Sequence, residues 1–189
     1  MPIAEQIIND QQASTEEALA VFDAAEPVEA DFMIGTWHGA ELRTGHPMDG
    51  MLSASGWWGK QFVDGETVHP LLFPTADGTA LWALDPKRLP VGLLLGAPLP
   101  SLENRSLGGL VTAARPLVQT KKPKARLRIT RYRGVDTATM VYDSQPINDI
   151  FRRISDDTVI GLMDVRGSEK PYFFSLRRDE SLPVVARSR

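Results

Sequence analysis

Apolar and polar positions change period along this chain, and each change marks an element. Near the N-terminus, Ile3, Ile7 and Ile8 form a short helical stripe. Ser14, followed by Glu17, makes a capping box. Ala18, Leu19, Val21 and Phe22 then repeat at helical spacing until Pro27 stops them. From Phe32 the period becomes two. Strands are predicted over Phe32–Leu42, into Phe62, over Val68–Phe73 and over Thr79–Leu84, with Asp64-Gly65 and Asp77-Gly78 as hairpin turns. His46-Pro47 starts a turn or a short helix, with Met48, Met51 and Leu52 on one face of the helix.

Between Asp85 and Pro123 the alternation fails. Pro86, Pro90, Pro98, Pro100 and Pro116 punctuate a stretch that also holds Gly108-Gly109. It predicts a connection with short strands near Val91–Leu95 and Gly109–Val111. Ala125–Arg133 and Thr137–Tyr142 then alternate again as a strand pair. Ile147, Ile150, Phe151 and Ile154 recur at helical spacing behind Pro146, predicting a short helix near 146–154. Thr158–Val165 and Pro171–Leu176 read as a final hairpin around Arg166-Gly167.

About eight short strands with regular turns point to a mainly β (α+β) protein. The architecture is an antiparallel β-barrel or rolled sheet, since closure removes exposed edges. Residues 1–25 form a helical segment, while 26–115 and 116–189 are β-rich segments sharing one fold.

Composition narrows the function classes. The chain has 189 residues, 42% hydrophobic and 24% charged, ordinary for a globular domain. It lacks cysteine, which excludes disulfides, thiol catalysis and cysteine-ligated metals. No basic region precedes an apolar run at the N-terminus, so no secretory signal is expected. The longest apolar run, Val91–Leu99, is too short to span a bilayer. The expected location is cytoplasmic, with peripheral membrane association open.

Charge is divided unevenly. Residues 1–103 carry 15 acidic and 4 basic side chains, and residues 104–189 carry 9 and 17, within an overall net charge of −3. Two readings stay open. The halves neutralise one another within one fold, or they meet an outside partner, which would be a second copy in a homodimer or an anionic surface.

Several blocks resemble a known family. Gly35-Thr36-Trp37-His38-Gly39, Thr44-Gly45-His46-Pro47-Met48-Asp49-Gly50 and Trp57-Trp58-Gly59-Lys60-Gln61-Phe62 are similar to the GXWXG family. Met140-Val141-Tyr142-Asp143, Gln145-Pro146-Ile147, Phe151-Arg152 and Gly161-Leu162-Met163-Asp164 resemble the second module of unknown function that its members carry. The resemblance covers about residues 20–178 and implies a small bacterial β-rich protein with no catalytic residues to carry over. It implies lipid or membrane-surface binding through a pleckstrin-homology-like barrel. The motif is also similar to the first-strand G-x-W of lipocalin-like barrels and to the related motif of haem-binding nitrobindins.

Three sets of residues could carry chemistry. In Lys121–Arg133, seven of thirteen residues are basic, and no acid lies between Glu103 and Asp136. Lys121, Lys122, Lys124, Arg126 and Arg128 form the candidate lipid or anion site, because guanidinium and ammonium groups bind headgroup phosphates. The alternative is a solvated strand edge. The acidic balance and the absence of interleaved aromatics argue against nucleic acid. The candidate pocket comprises Trp37, His38, His46, Trp57, Trp58, Asp143 and Arg152. His38, His46 and His69 match no metal spacing, so no metal or cofactor is assigned. Asp149 and Arg152, three apart on the predicted helix, would join Asp143 as an acid–base group or as an ion pair. No nucleophile elbow or phosphate loop accompanies them.

The leading expectation is a non-catalytic lipid-binding or anionic-membrane-binding barrel. The alternatives are a carrier of a small hydrophobic ligand or haem, and an enzyme acting on a hydrophobic substrate through Asp143, Asp149 and Arg152.

Overall fold

The computed structural model describes residues 2–88 and 107–185, with side chains from Ala4 onward. The capping box forms as expected. Ser14 Oγ accepts from the Glu17 amide at 3.1 Å and Glu17 accepts from the Ser14 amide at 2.8 Å, which starts α2 (Thr15–Ala24) behind α1 (Pro2–Asp10). A two-residue strand, β1 (Glu26–Pro27), and a 3-10 turn, Ala30–Met33, follow. The turn takes Phe32 out of the strand predicted there, so β2 begins at Gly35 and runs Gly35–Leu42.

The remaining elements are α3 (Met51–Ser55), β3 (Gly59–Phe62), β4 (Val68–Pro74), β5 (Leu81–Leu84), α4 (Gly108–Val118) and β6 (Gln119–Thr120). Five long strands end the chain: β7 (Ala125–Tyr132), β8 (Val135–Tyr142), β9 (Ile147–Arg153), β10 (Thr158–Val165) and β11 (Tyr172–Arg178). Eight of these strands close a ring in the order β3-β2-β11-β10-β9-β8-β7-β4, with β4 returning to β3. Every pairing in the ring is antiparallel. β5 and β6 extend the sheet beyond β4, and β1 lies beside β9.

Two further local expectations are corrected. The predicted helix at 146–154 is β9. Its inward side chains Ile147 and Phe151 join the barrel core, while Ile150 faces out to meet α2. A strand buried on both faces loses its alternation, and the apolar spacing then imitates a helix. The strand predicted at Gly109–Val111 is part of α4. Pro47 lies in a turn, one of the two readings at that point, and the helix follows from Met51, between Gly50 and Gly56, both left-handed. The strand predicted at Val91–Leu95 lies outside the described residues.

Two cores result. One lies inside the barrel wall, with Trp37, Phe62, Met140, Phe151, Val159 and Phe174 among its members. The other lies outside the wall, where Ile7, Ala18, Val21 and Phe22 of α1 and α2 cover Leu42, Ile150, Ile160, Leu162 and Phe173.

The β4–β7 seam is the narrowest join in the ring, with one residue pair, Val68 and Ala125, in register. Backbone bonds from Lys124 to Val68 O (3.0 Å) and from Leu127 to Gly65 O (2.9 Å) extend it. Side chains clamp it. Arg128 donates to Gly65 O at 2.8 Å and pairs with Glu66 at 2.5 Å, and Lys124 pairs with Asp85 at 2.7 Å. These pairs, with Arg133 on Asp23 (2.6 Å), join the acidic half to the basic half within one fold.

Candidate functional site

The GXWXG segment acts as a set of seats inside the barrel. Trp37 points inward and is fully buried, its Nε1 donating to Met33 O at 2.8 Å. The Arg178 guanidinium lies 4.3 Å from its ring centroid, so that indole, the 3-10 turn and Arg178 close one end. Two residues on, Gly39 faces inward beneath Trp57. A Cβ there would stand 2.1 Å from Trp57 Cη2. Gly161 on β10 does the same for Phe174, whose ring would lie 2.4 Å from its Cβ. Each glycine leaves the space into which the outer edge of a large ring reaches. Gly39→Ala should therefore cost about 1–3 kcal/mol through overpacking, and Gly161→Ala about the same. Thermal denaturation of either variant checks this, an unchanged midpoint being the contrary result.

Between those rings lies a buried ion pair. Lys60 points inward from β3 and Asp149 inward from β9, Nζ to Oδ2 at 2.9 Å, with side chains only 4% and 1% exposed. The register slips between β3 and β4 here. Gly59 pairs with Leu72 and Gln61 with His69, so Lys60 stands opposite both Pro70 and Leu71. Proline at a bulge loses no ladder donor, and the Pro70 carbonyl accepts from Lys60 Nζ at 3.2 Å. The ammonium also sits 5.0 Å from the Phe174 ring centre, 5.3 Å from Trp57 and 5.8 Å from Tyr142, a cation in an aromatic box.

The pair is incompletely satisfied. Asp149 Oδ1 and Trp57 Nε1 are buried with no hydrogen-bond partner among the described residues. Burial raises the Asp149 pKa, against the opposing pull of Lys60. Burial and the nearby Asp149 charge push Tyr142 well above its ordinary range, so it is neutral.

Near the other end, Glu41 of β2 accepts from the Gly50 and Ser53 amides and from Ser53 Oγ, tying α3 across the barrel mouth. Burial, with Glu41 and Asp49 nearby, keeps Tyr172 neutral. Asp49 Oδ2 gathers the amides of Thr44, Gly45 and His46 at 2.8–3.0 Å, which fixes the loop before α3. His46 belongs to that loop. Its Nδ1 accepts from the Met48 amide and its Nε2 meets Ser168 Oγ, both at 3.1 Å. Burial lowers its pKa.

The structure separates the residues grouped as a pocket. Trp37 and Trp57 face the interior. His38 is exposed on the outer face, its ring 5.0 Å from half-buried Trp58. Asp143 is outside, paired with Arg126 at 3.2 Å. Arg152 is buried outside the wall, 5.3 Å from the Phe22 ring. On a strand, Asp149 and Arg152 have odd spacing and so opposite faces. The acid–base trio of Asp143, Asp149 and Arg152 does not assemble, and no group of metal-ligand type forms among the described residues. Both His46 ring nitrogens are engaged and His38 faces out, which removes the basis for an axial haem ligand from either.

The basic residues serve two purposes. Lys124, Arg126 and Arg128 each hold a carboxylate. Lys121 and Lys122 are exposed in the turn after β6 and make no salt bridge among the described residues. Sequence reasoning passed over Lys60 because it was read only as part of a motif. A lone lysine in a strand between two buried aromatic positions, Trp57 and Phe62, was the available signal.

Comparison with known proteins agrees with this architecture. The GXWXG protein family matches residues 20–78, and a domain of unknown function (DUF4334) matches residues 123–178. The first match contains β2, β3 and β4 and the second contains β7 to β11, so the barrel is closed by strands from both. A solved structure, "Crystal structure of protein from Thermomonospora curvata", is 31% identical, with 95% of this chain and 99% of that one covered and a TM-score of 0.69. Among curated proteins there is no match. The chain belongs to the GXWXG protein family, joined to its C-terminal domain of unknown function.

Proposed function

We propose that this barrel is a lipid-type binding protein, which takes one amphiphilic molecule into its interior with the polar end at Lys60 and Asp149. The observation that carries this reading is that ion pair, buried among Trp57, Tyr142 and Phe174 with one carboxylate oxygen unpartnered. A buried ion pair is poor value as a stabiliser, since well-packed apolar residues do as well or better. Small-ligand sites, by contrast, are mostly apolar with a few placed polar groups. Met51 and Leu52 of α3 and Val111 and Val118 of α4 pack against the barrel core, and that side is taken as the entry. The reading is tested with the uncharged fluorophore N-phenyl-1-naphthylamine. One saturable site per chain is expected, with tryptophan emission falling as probe emission rises. Non-saturating emission, as from surface adsorption, would contradict it.

A membrane contact is favoured by a second observation. On α4, Leu110 and Leu117 are 69% and 77% exposed, and Lys121 and Lys122 follow a few residues later. Exposed leucines beside lysines suit an anionic lipid surface, where each cation contributes about 1 kcal/mol. Co-sedimentation with vesicles containing phosphatidylserine should be strong at low salt. It should fall at physiological salt and fall again in a Lys121→Glu/Lys122→Glu variant. Equal binding to neutral vesicles would count against this contact.

A further inference from the structure

We infer that the interior site selects an uncharged, hydroxyl-bearing apolar molecule, such as a long-chain alcohol, over the corresponding acid or amine. This rests on the interior-binding reading above and adds to it the chemical class of the polar end.

Charge and hydrogen-bonding valence at Lys60 and Asp149 set the polar end of the ligand. Lys60 and Asp149 together are neutral, and Tyr142 is neutral beside them. A carboxylate brought to this point would face Asp149 directly, with Glu41 as a second buried carboxylate on the same inner wall. Arg178, the cation stacked on Trp37, is committed to the Ile34 and Phe32 carbonyls and does not balance it. An ammonium would face Lys60, which already occupies the aromatic box. Either ion leaves a net charge in a low-dielectric space, the costly case for burial. A hydroxyl adds no charge.

The open hydrogen-bond positions match a hydroxyl. Asp149 Oδ1 lacks a donor. Lys60 uses two of its three donors, on Asp149 Oδ2 and Pro70 O. A hydroxyl donates to the first and accepts from the third Lys60 N–H, closing both with one group. Trp57 supplies another unpartnered donor. The outer edge of its six-membered ring lies on Gly39, which turns the pyrrole edge carrying Nε1 away from β2. A chain without a polar end would leave these groups buried and unpaired.

The test displaces bound N-phenyl-1-naphthylamine with four molecules of equal chain length, 1-decanol, decanoate, decylamine and 1-chlorodecane, at neutral pH. The alcohol should displace the probe at about tenfold lower concentration than the other three, one hydrogen bond to a charged group being enough for that factor. In Lys60→Met/Asp149→Leu, the alcohol and the chloroalkane should become equal. The ranking on the unaltered protein is decisive whether or not the variant folds. Preference for decanoate or decylamine, no preference among the four, no displacement by any, or an alcohol preference that survives the double change would each overturn the inference. Failure of the probe itself to bind would instead strike the interior-binding reading.

Discussion

Lys60→Met should lower stability by about 3–5 kcal/mol, because it strands the Asp149 carboxylate in an aromatic interior. For a chain of this size that is a fall of about 6–20 °C in the unfolding midpoint. Lys60→Met/Asp149→Leu should recover most of the loss, since an apolar pair replaces an apolar-lined ion pair with no charge left over. The pH dependence has a definite sign. Asp149 already has its pKa raised by burial, and removing Lys60 removes what lowers it. A carboxyl with a raised folded pKa contributes most when protonated, below its unfolded value. That contribution is lost as pH rises through the folded value. The deficit of Lys60→Met should therefore shrink between pH 8 and pH 5. Urea unfolding at the two pH values measures it. A deficit that stays constant would show that Asp149 is not the stranded charge.

Trp37→Ala should cost a similar amount, about 3–5 kcal/mol, for the removal of a fully buried indole. Trp37 is more than bulk. Its Nε1 bond to Met33 O holds the 3-10 turn, and Arg178 stacks on it from the far end of β11, donating at 2.6 Å to Ile34 O and at 2.7 Å to Phe32 O. Trp37→Phe keeps most of the volume and leaves the Met33 carbonyl without its donor, so it should cost about 1–3 kcal/mol. Thermal unfolding of both variants separates packing from hydrogen bonding. If Trp37→Ala leaves the midpoint unchanged, Trp37 does not close the barrel end as described.

Most of the barrel was legible because strand and turn chemistry is local. The Ser14–Glu17 box, the Asp64-Gly65 and Asp77-Gly78 turns and the long strand pairs fall where their residues place them. β9 was misread because helices α1 and α2 bury its outer face, a tertiary fact that erased its period. The candidate site was harder. Asp149 and Lys60 lie 89 positions apart, and only barrel closure and the Pro70 bulge bring them to 2.9 Å. The basic run was visible as charge, yet its partners Glu66 and Asp85 lie across the β4–β7 seam. Local pattern could not show that Arg128 and Lys124 fasten the ring while Lys121 and Lys122 do not.

The ligand of the proposed interior site lies beside Trp57. The most direct measurement is the indole N–H spectrum by two-dimensional NMR during titration with N-phenyl-1-naphthylamine, with Trp57 identified through Trp57→Phe. The Trp57 resonance should shift and saturate at one equivalent while that of Trp58, on the outer face, stays in place. A spectrum in which Trp57 is unmoved, or in which Trp58 alone moves, would contradict an interior site.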